Sequence, residues 1–193
     1  MPAFRCRSIV AAALFLWSFS PSSAPAADPK PSPKSLVERG QYLVTISGCN
    51  DCHTPKTMSP KGPVLHPMKI LSGHQADSKL PDIPQGVLGP DKWGAITNHD
   101  LTAWVGPWGV SFTANLTPDP ATGLGGWTEE MFIKTLRTGK HLGTGRDILP
   151  PMPWQMIGRM TDDDLKAVFA YLKSLKPIRN AVPQPIPPQG AGK

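Results

Sequence analysis

Three stretches of the chain carry apolar residues at helical spacing, and one long stretch between them carries no period at all. Leu36, Val37, Tyr42, Leu43 and Val44 form the first stretch, which follows Ser35 and runs toward Gly48. A serine in that place is a helix cap, so a helix is expected over Leu36–Val44. Phe132, Ile133 and Leu136 line one face of a second helix, Glu129 to about Thr138. Thr128 caps it, Glu129 and Glu130 suit its positive end, and Gly139 supplies the stop. Leu165, Val168, Phe169, Leu172 and Leu175 make the third stripe, in a helix begun at Thr161 and ended before Pro177. There Asp164 stands where it can reach back to the cap, as in a capping box.

From Thr54 to about Val110 neither the helical nor the strand period holds. Pro55, Pro60, Gly62, Pro63, Pro67, Pro81, Pro84, Gly86, Gly89 and Pro90 punctuate the segment, and no helix or strand is expected in it. Unstructured stretches of this length are uncommon in compact domains and often face a partner. Ala114-Asn-Leu-Thr-Pro-Asp119 then reads as a turn. No internal repeat is present, which points to one domain.

The ends differ from the middle. Residues 1–26 read as a secretory signal, with Arg5 and Arg7 before an apolar run from Ile9 to Phe19 and small residues at Ala24 and Ala26. That run is short for a bilayer span, so no stable membrane insertion is expected and the periplasm is the expected location. Residues 27–34 are a proline-rich linker, 35–178 the domain with 54–110 as a long loop insertion, and 179–193 a proline-rich tail. With 39% hydrophobic residues, 24 prolines and 18 glycines, the core is thin and loops are many. A large flat cofactor could centre such a core. Loss of Arg5 and Arg7 leaves 18 basic against 14 acidic residues, a net of +4. This mild excess steers toward acidic partners at most and forms no nucleic-acid patch.

The sharpest chemical signal is Cys49-Asn50-Asp51-Cys52-His53. Two thiols separated by two residues lie on one side of a helical turn and can reach two vinyl groups on one porphyrin edge. The histidine next in line can bring a ring nitrogen to the iron from the same side. A thioredoxin-like pair would follow a strand in a βαβ unit, whereas this pair follows a helix. A zinc site would need further close ligands, and His66, His74, His99 and His141 lie at unsuitable spacings. A disulfide between residues so close would be strained. One covalent haem c is therefore expected on Cys49, Cys52 and His53.

The opposite axial position calls for a soft donor if the iron is to change charge with little rearrangement. The mature chain offers Met58, Met68, Met131, Met152, Met156 and Met160. Met152 lies in Leu149-Pro-Pro-Met-Pro-Trp154, where three prolines stiffen the backbone around one thioether. Met131 is expected in the core, and Met156 and Met160 as fillers under the loop. His141 or an open position is the alternative to Met152.

These residues resemble the class I mono-haem c-type cytochromes of bacterial periplasms. The likeness rests on Gly48–His53, Ala114–Asp119, Gly123–Thr128, Leu136–Gly139, Pro151–Trp154 and Thr161–Ala167 with Tyr171-Leu172. It is nearest to haem domains in cytochrome subunits of alcohol and aldehyde dehydrogenases, which often carry several haems. The resemblance implies a small all-α cytochrome c-like domain with long irregular loops, its first and last helices crossing where Gly40 nears Phe169 or Tyr171. It implies Cys49 and Cys52 as haem attachments, His53 and Met152 as axial ligands, and loose pocket contacts from Asn115, Trp127 and Arg137. An electron carrier without a substrate of its own follows, working between a donor dehydrogenase and an acceptor oxidase or other cytochrome. A subunit of a dehydrogenase complex is the second reading, and a haem enzyme or gas sensor with an open sixth position the third.

Overall fold

The computed structural model describes residues 32–188, so the signal reading, most of the linker and the last five tail residues lie outside it. Helix α1 spans Pro33–Ile46. It begins three residues earlier than expected: Ser32, not Ser35, accepts the capping hydrogen bond, and Pro33 takes the first helical position. Proline is suited there because its missing N–H would have had no partner. Helix α2 is the short Cys49–His53 turn, α3 is Glu129–Thr138, α4 is Trp154–Ile157, and α5 is Asp162–Ser174.

Crossing of α1 and α5 makes the centre of the molecule. Gly40 is what allows it: a Cβ on Gly40 would stand 1.9 Å from the Ala167 carbonyl oxygen and 2.7 Å from Tyr171 Cβ. Around the crossing pack Leu43, Val44, Leu71, Leu124, Phe132, Leu136, Leu165, Val168, Phe169 and Leu172. Phe132 and Phe169 meet with ring centroids 5.2 Å apart, which docks α3 on α5. Thr161 caps α5 through the Asp164 N–H as expected, but the Asp164 carboxylate accepts from Arg39 Nε at 2.9 Å and so ties α5 to α1.

The all-α expectation is overturned. The segment from 54 to 112 holds two antiparallel sheets, β1 (Lys56–Ser59) with β2 (Gly62–Leu65), and β3 (Ile96–Thr97), β4 (Ala103–Gly106) and β5 (Gly109–Phe112) in that spatial order. Register is set by tight turns: Ser59 faces Gly62, and Gly106 faces Gly109. No strand exceeds four residues, too few for an alternating pattern to stand out among prolines and glycines. Nor is the segment peripheral. Leu71, Ser72, Gly73 and His74 are all buried and run between α2 and the chain at 113–116.

Beyond α5 the chain continues as a strap. Asn180, itself buried, donates from Nδ2 to the Ser72 and His74 carbonyls and accepts at Oδ1 from the Ala76 N–H, at 2.8, 2.8 and 3.0 Å. Ile186 then exchanges both main-chain hydrogen bonds with Val110, adding one residue of pairing to the free side of β5. Among the described residues no helix is long and apolar enough to cross a membrane.

Candidate functional site

Helix α2 is five residues long and could not persist alone. It is held from both ends. Gly48, at positive φ, turns the chain from α1 into it. At its far end Thr54 Oγ1 donates to Asn50 Oδ1 (2.9 Å) and accepts from the Leu71 N–H (2.8 Å), while the His53 carbonyl accepts from the Gly73 N–H (2.8 Å). Gly73 has φ +75°, and a Cβ there would lie 2.5 Å from the Thr113 carbonyl oxygen. Only glycine fits so close to the neighbouring backbone.

Cys49 and Cys52 stand three residues apart on one helix, which puts both sulfurs on one face. Both are unpaired and partly buried. Burial pushes the Cys49 thiol up to about 11, and it raises Cys52 as well. A redox or nucleophilic cysteine needs the opposite, a depressed pKa, so these thiols are unsuited to thioredoxin-like exchange. Among the described residues no three His, Cys, Asp or Glu side chains gather where they could hold a metal ion by themselves.

His53 is 8% exposed, and its Nδ1 lies 2.8 Å from the Ala114 carbonyl oxygen. A carbonyl can only accept, so Nδ1 carries the proton and Nε2 keeps the lone pair. No described residue hydrogen-bonds to Nε2. Burial lowers the His53 pKa, with the Ala114 bond opposing, so the ring is neutral. An imidazole anchored through Nδ1–H with a free Nε2 is the form that binds metals.

Met152 and Cys49 are both partly buried and pack against the same Leu43–Leu172 cluster, as do Ile70, Leu116 and Trp127. The Met152 loop is fixed from two sides: Ser111 Oγ donates to the Pro150 carbonyl at 2.6 Å, and Trp154 covers Gly139 so closely that a Cβ there would lie 2.4 Å from the indole. Four of the other sulfurs are too exposed to suit the role. Met58, Met68 and Met156 are 66–71% exposed, and Met131, expected in the core, faces outward at 40%. Met160 does pack against the core. His141 is exposed and stands edge-on to Trp127 at 5.3 Å.

The donor set fits a c-type haem: two unpaired thiols on one face, an imidazole with a free lone pair, a half-buried thioether and apolar walls. Thr113 Oγ1, next to the carbonyl that holds His53, is the one buried side-chain polar atom without a partner among the described residues. It has room in its bonding for a further group. Two of the loosely implied pocket residues are already occupied. Asn115 spends both ends of its amide on Thr117, Ile178 and Asn180, joining the turn to the strap. Arg137 donates to the Gly158 carbonyl and pairs with Asp162. Trp127 stays at the wall. Sequence reasoning missed Leu71, Gly73 and the Ala114 carbonyl, which act through backbone groups, and Thr54, whose hydroxyl takes the Leu71 N–H; none of these leaves a residue-type signal.

No family model matches the chain. Over 170 residues, 88% of its length, it is 29% identical to the cytochrome c subunit of alcohol dehydrogenase (quinone) from Gluconobacter oxydans (strain 621H). It is 28% identical over 155 residues (80%) to the fructose dehydrogenase cytochrome subunit of Gluconobacter japonicus. To the gluconate 2-dehydrogenase cytochrome c subunit of Pantoea cypripedii it is 27% identical over 148 residues (76%). The chain spans 27%, 24% and 25% of those proteins, about a quarter of each. It is thus similar, over most of its own length, to cytochrome c subunits of dehydrogenases.

Proposed function

We propose that the chain is a periplasmic electron carrier holding one haem c through thioethers to Cys49 and Cys52, with His53 Nε2 and Met152 Sδ as axial ligands. The observation that carries this reading is the His53 ring, buried, anchored by Nδ1 to Ala114 and free at Nε2. The haem would supply a one-electron couple. The protein would supply rigidity: α2 is fixed by Thr54, Leu71 and Gly73, and the Met152 loop by Ser111 and Trp154. Ligands that keep their places in both oxidation states keep the reorganisation small. The signal reading of residues 1–26 supports the periplasm.

Similarity to dehydrogenase cytochrome subunits favours a second form of the same reading, in which the donor is a dehydrogenase subunit bound to this chain. Co-purification of a larger flavin, quinone or molybdenum subunit supports that form, and isolation of the chain alone supports the free carrier.

The test is the optical spectrum of protein matured with c-haem assembly machinery, for wild type and Met152→Ala. A weak red-end sulfur-to-iron band in oxidised wild type, lost in the variant together with a gain of carbon monoxide binding, supports His53/Met152 ligation. A wild type that lacks the band and binds carbon monoxide at once removes Met152 and brings the enzyme or sensor reading forward.

A further inference from the structure

Lys56 follows the attachment helix by three residues and opens β1. Its side chain turns back onto that helix. The ammonium donates to three main-chain carbonyls: those of Asp51, of Thr54 at 3.1 Å and of Asp100 at 2.8 Å. Its backbone N–H donates to Asp100 Oδ1 at 3.1 Å, so the residue joins α2 to the turn before β4 through both main chain and side chain.

An ammonium has three protons and no acceptor, and here all three are used. A neutral amine would leave one carbonyl without a donor, so the arrangement selects the cation. Burial pulls the Lys56 pKa down, while the Asp100 and Asp51 carboxylates hold the charge in place. The Asp51 carbonyl that it holds belongs to the residue directly before Cys52, so the cation lies beside the attachment helix. Asp51 and Asp100 are the carboxylates that face it. Asp51 is exposed and screened by water, whereas Lys56 is half-buried and screened less.

We infer that Lys56 is a fixed cation that raises the reduction potential of the haem held by Cys49, Cys52 and His53. This rests on the haem reading above. When the reduced site gives one electron to an acceptor protein it gains one positive charge. A cation held against the Cys52 end of the site opposes that gain, so it favours the ferrous state. Three carbonyl acceptors keep the charge at one place in both states, unlike a surface lysine that swings into solvent.

The experiment is redox titration of the covalently loaded protein for wild type, Lys56→Met and Lys56→Arg, each with its haem content and thermal midpoint. Removing the charge is expected to shift the ferrous–ferric equilibrium roughly tenfold toward ferric, 59 mV for a one-electron couple. Arginine is expected to restore most of it. An unchanged potential in loaded Lys56→Met, with only a lower thermal midpoint, makes Lys56 a mere tether and overturns the inference. An equal fall in Lys56→Arg overturns it too. If Lys56→Met does not fold, Lys56→Gln set against Lys56→Arg gives the same contrast. Wild type without covalent haem is a separate result and removes the underlying reading.

Discussion

The helical frame and the segment from 54 to 112 reach order by different physics. In the frame, α1, α3 and α5 bury apolar stripes against each other, and Leu165 and Leu172 are 0% and 2% exposed. The other segment has little such core. Its strands are at most four residues long, and it is fastened by polar groups reaching along the chain: Asn180 to Ser72 and His74, and Thr54 to Leu71. Apolar burial is tolerant of detail, whereas a buried hydrogen bond is costly to break, since it leaves an unpaired group behind. The candidate site lies where the two regions meet. Its sulfurs and imidazole stand on the frame side, and the backbone that orients them comes largely from the other.

The largest effect is expected at Gly40, in the helical frame. Gly40→Ala places a methyl 1.9 Å from the Ala167 carbonyl oxygen. Forcing the crossing apart is expected to cost about 3 kcal/mol or more, read as a fall in denaturant midpoint. Loss under about 1 kcal/mol would mean the crossing is loose. Next comes Asn180→Ala, which removes three hydrogen bonds to the 72–76 segment and is expected to cost about 2–3 kcal/mol. Hydrogen exchange sharpens the contrast here: amides at 71–76 and 110–116 should lose protection while those of α1 and α5 keep theirs. Equal loss in both would show a single cooperative unit.

Ser111→Ala frees the Pro150 carbonyl and is expected to cost about 1 kcal/mol. Under the proposed Met152 ligation its signature is a weakened sulfur-to-iron band, since the Met152 loop loosens while α2 is untouched. The smallest effect is a pH slope from His74. Burial holds its pKa below the ordinary imidazole value, against the pull of Asp100. The unfolded chain therefore binds a proton near pH 6.5 that the folded chain refuses, as expected for an imidazole. Stability is full above that pH and is lost as pH falls through the lower folded value. Denaturant midpoints taken downward from neutral pH should show the slope, and His74→Gln should reduce it.

The same division decided what could be read from the sequence. The stripes of α3 and α5 and the caps Thr128 and Thr161 were visible, because a period of 3.6 and a capping hydroxyl are local signals. The start of α1 was displaced, since Ser32-Pro33 stands in a proline-rich run that reads as linker. Strands β1 to β5 were invisible because none exceeds four residues, too few for an alternating pattern to show among prolines and glycines. At the site, the Cys49–His53 spacing stood out by residue type alone. Thr54, Lys56, Gly73 and Ser111 did not, because each acts on a main-chain carbonyl or N–H whose address exists only after folding. Asn115 shows the converse: a polar residue at a suggestive place, whose amide serves the turn and the strap instead.

Covalent attachment is decided by the intact mass of the denatured protein after extraction of any loosely held haem. One haem is expected to stay with each wild-type chain and none with Cys49→Ala/Cys52→Ala. A wild-type chain that emerges without haem, or a double variant that still retains it, would contradict attachment at α2.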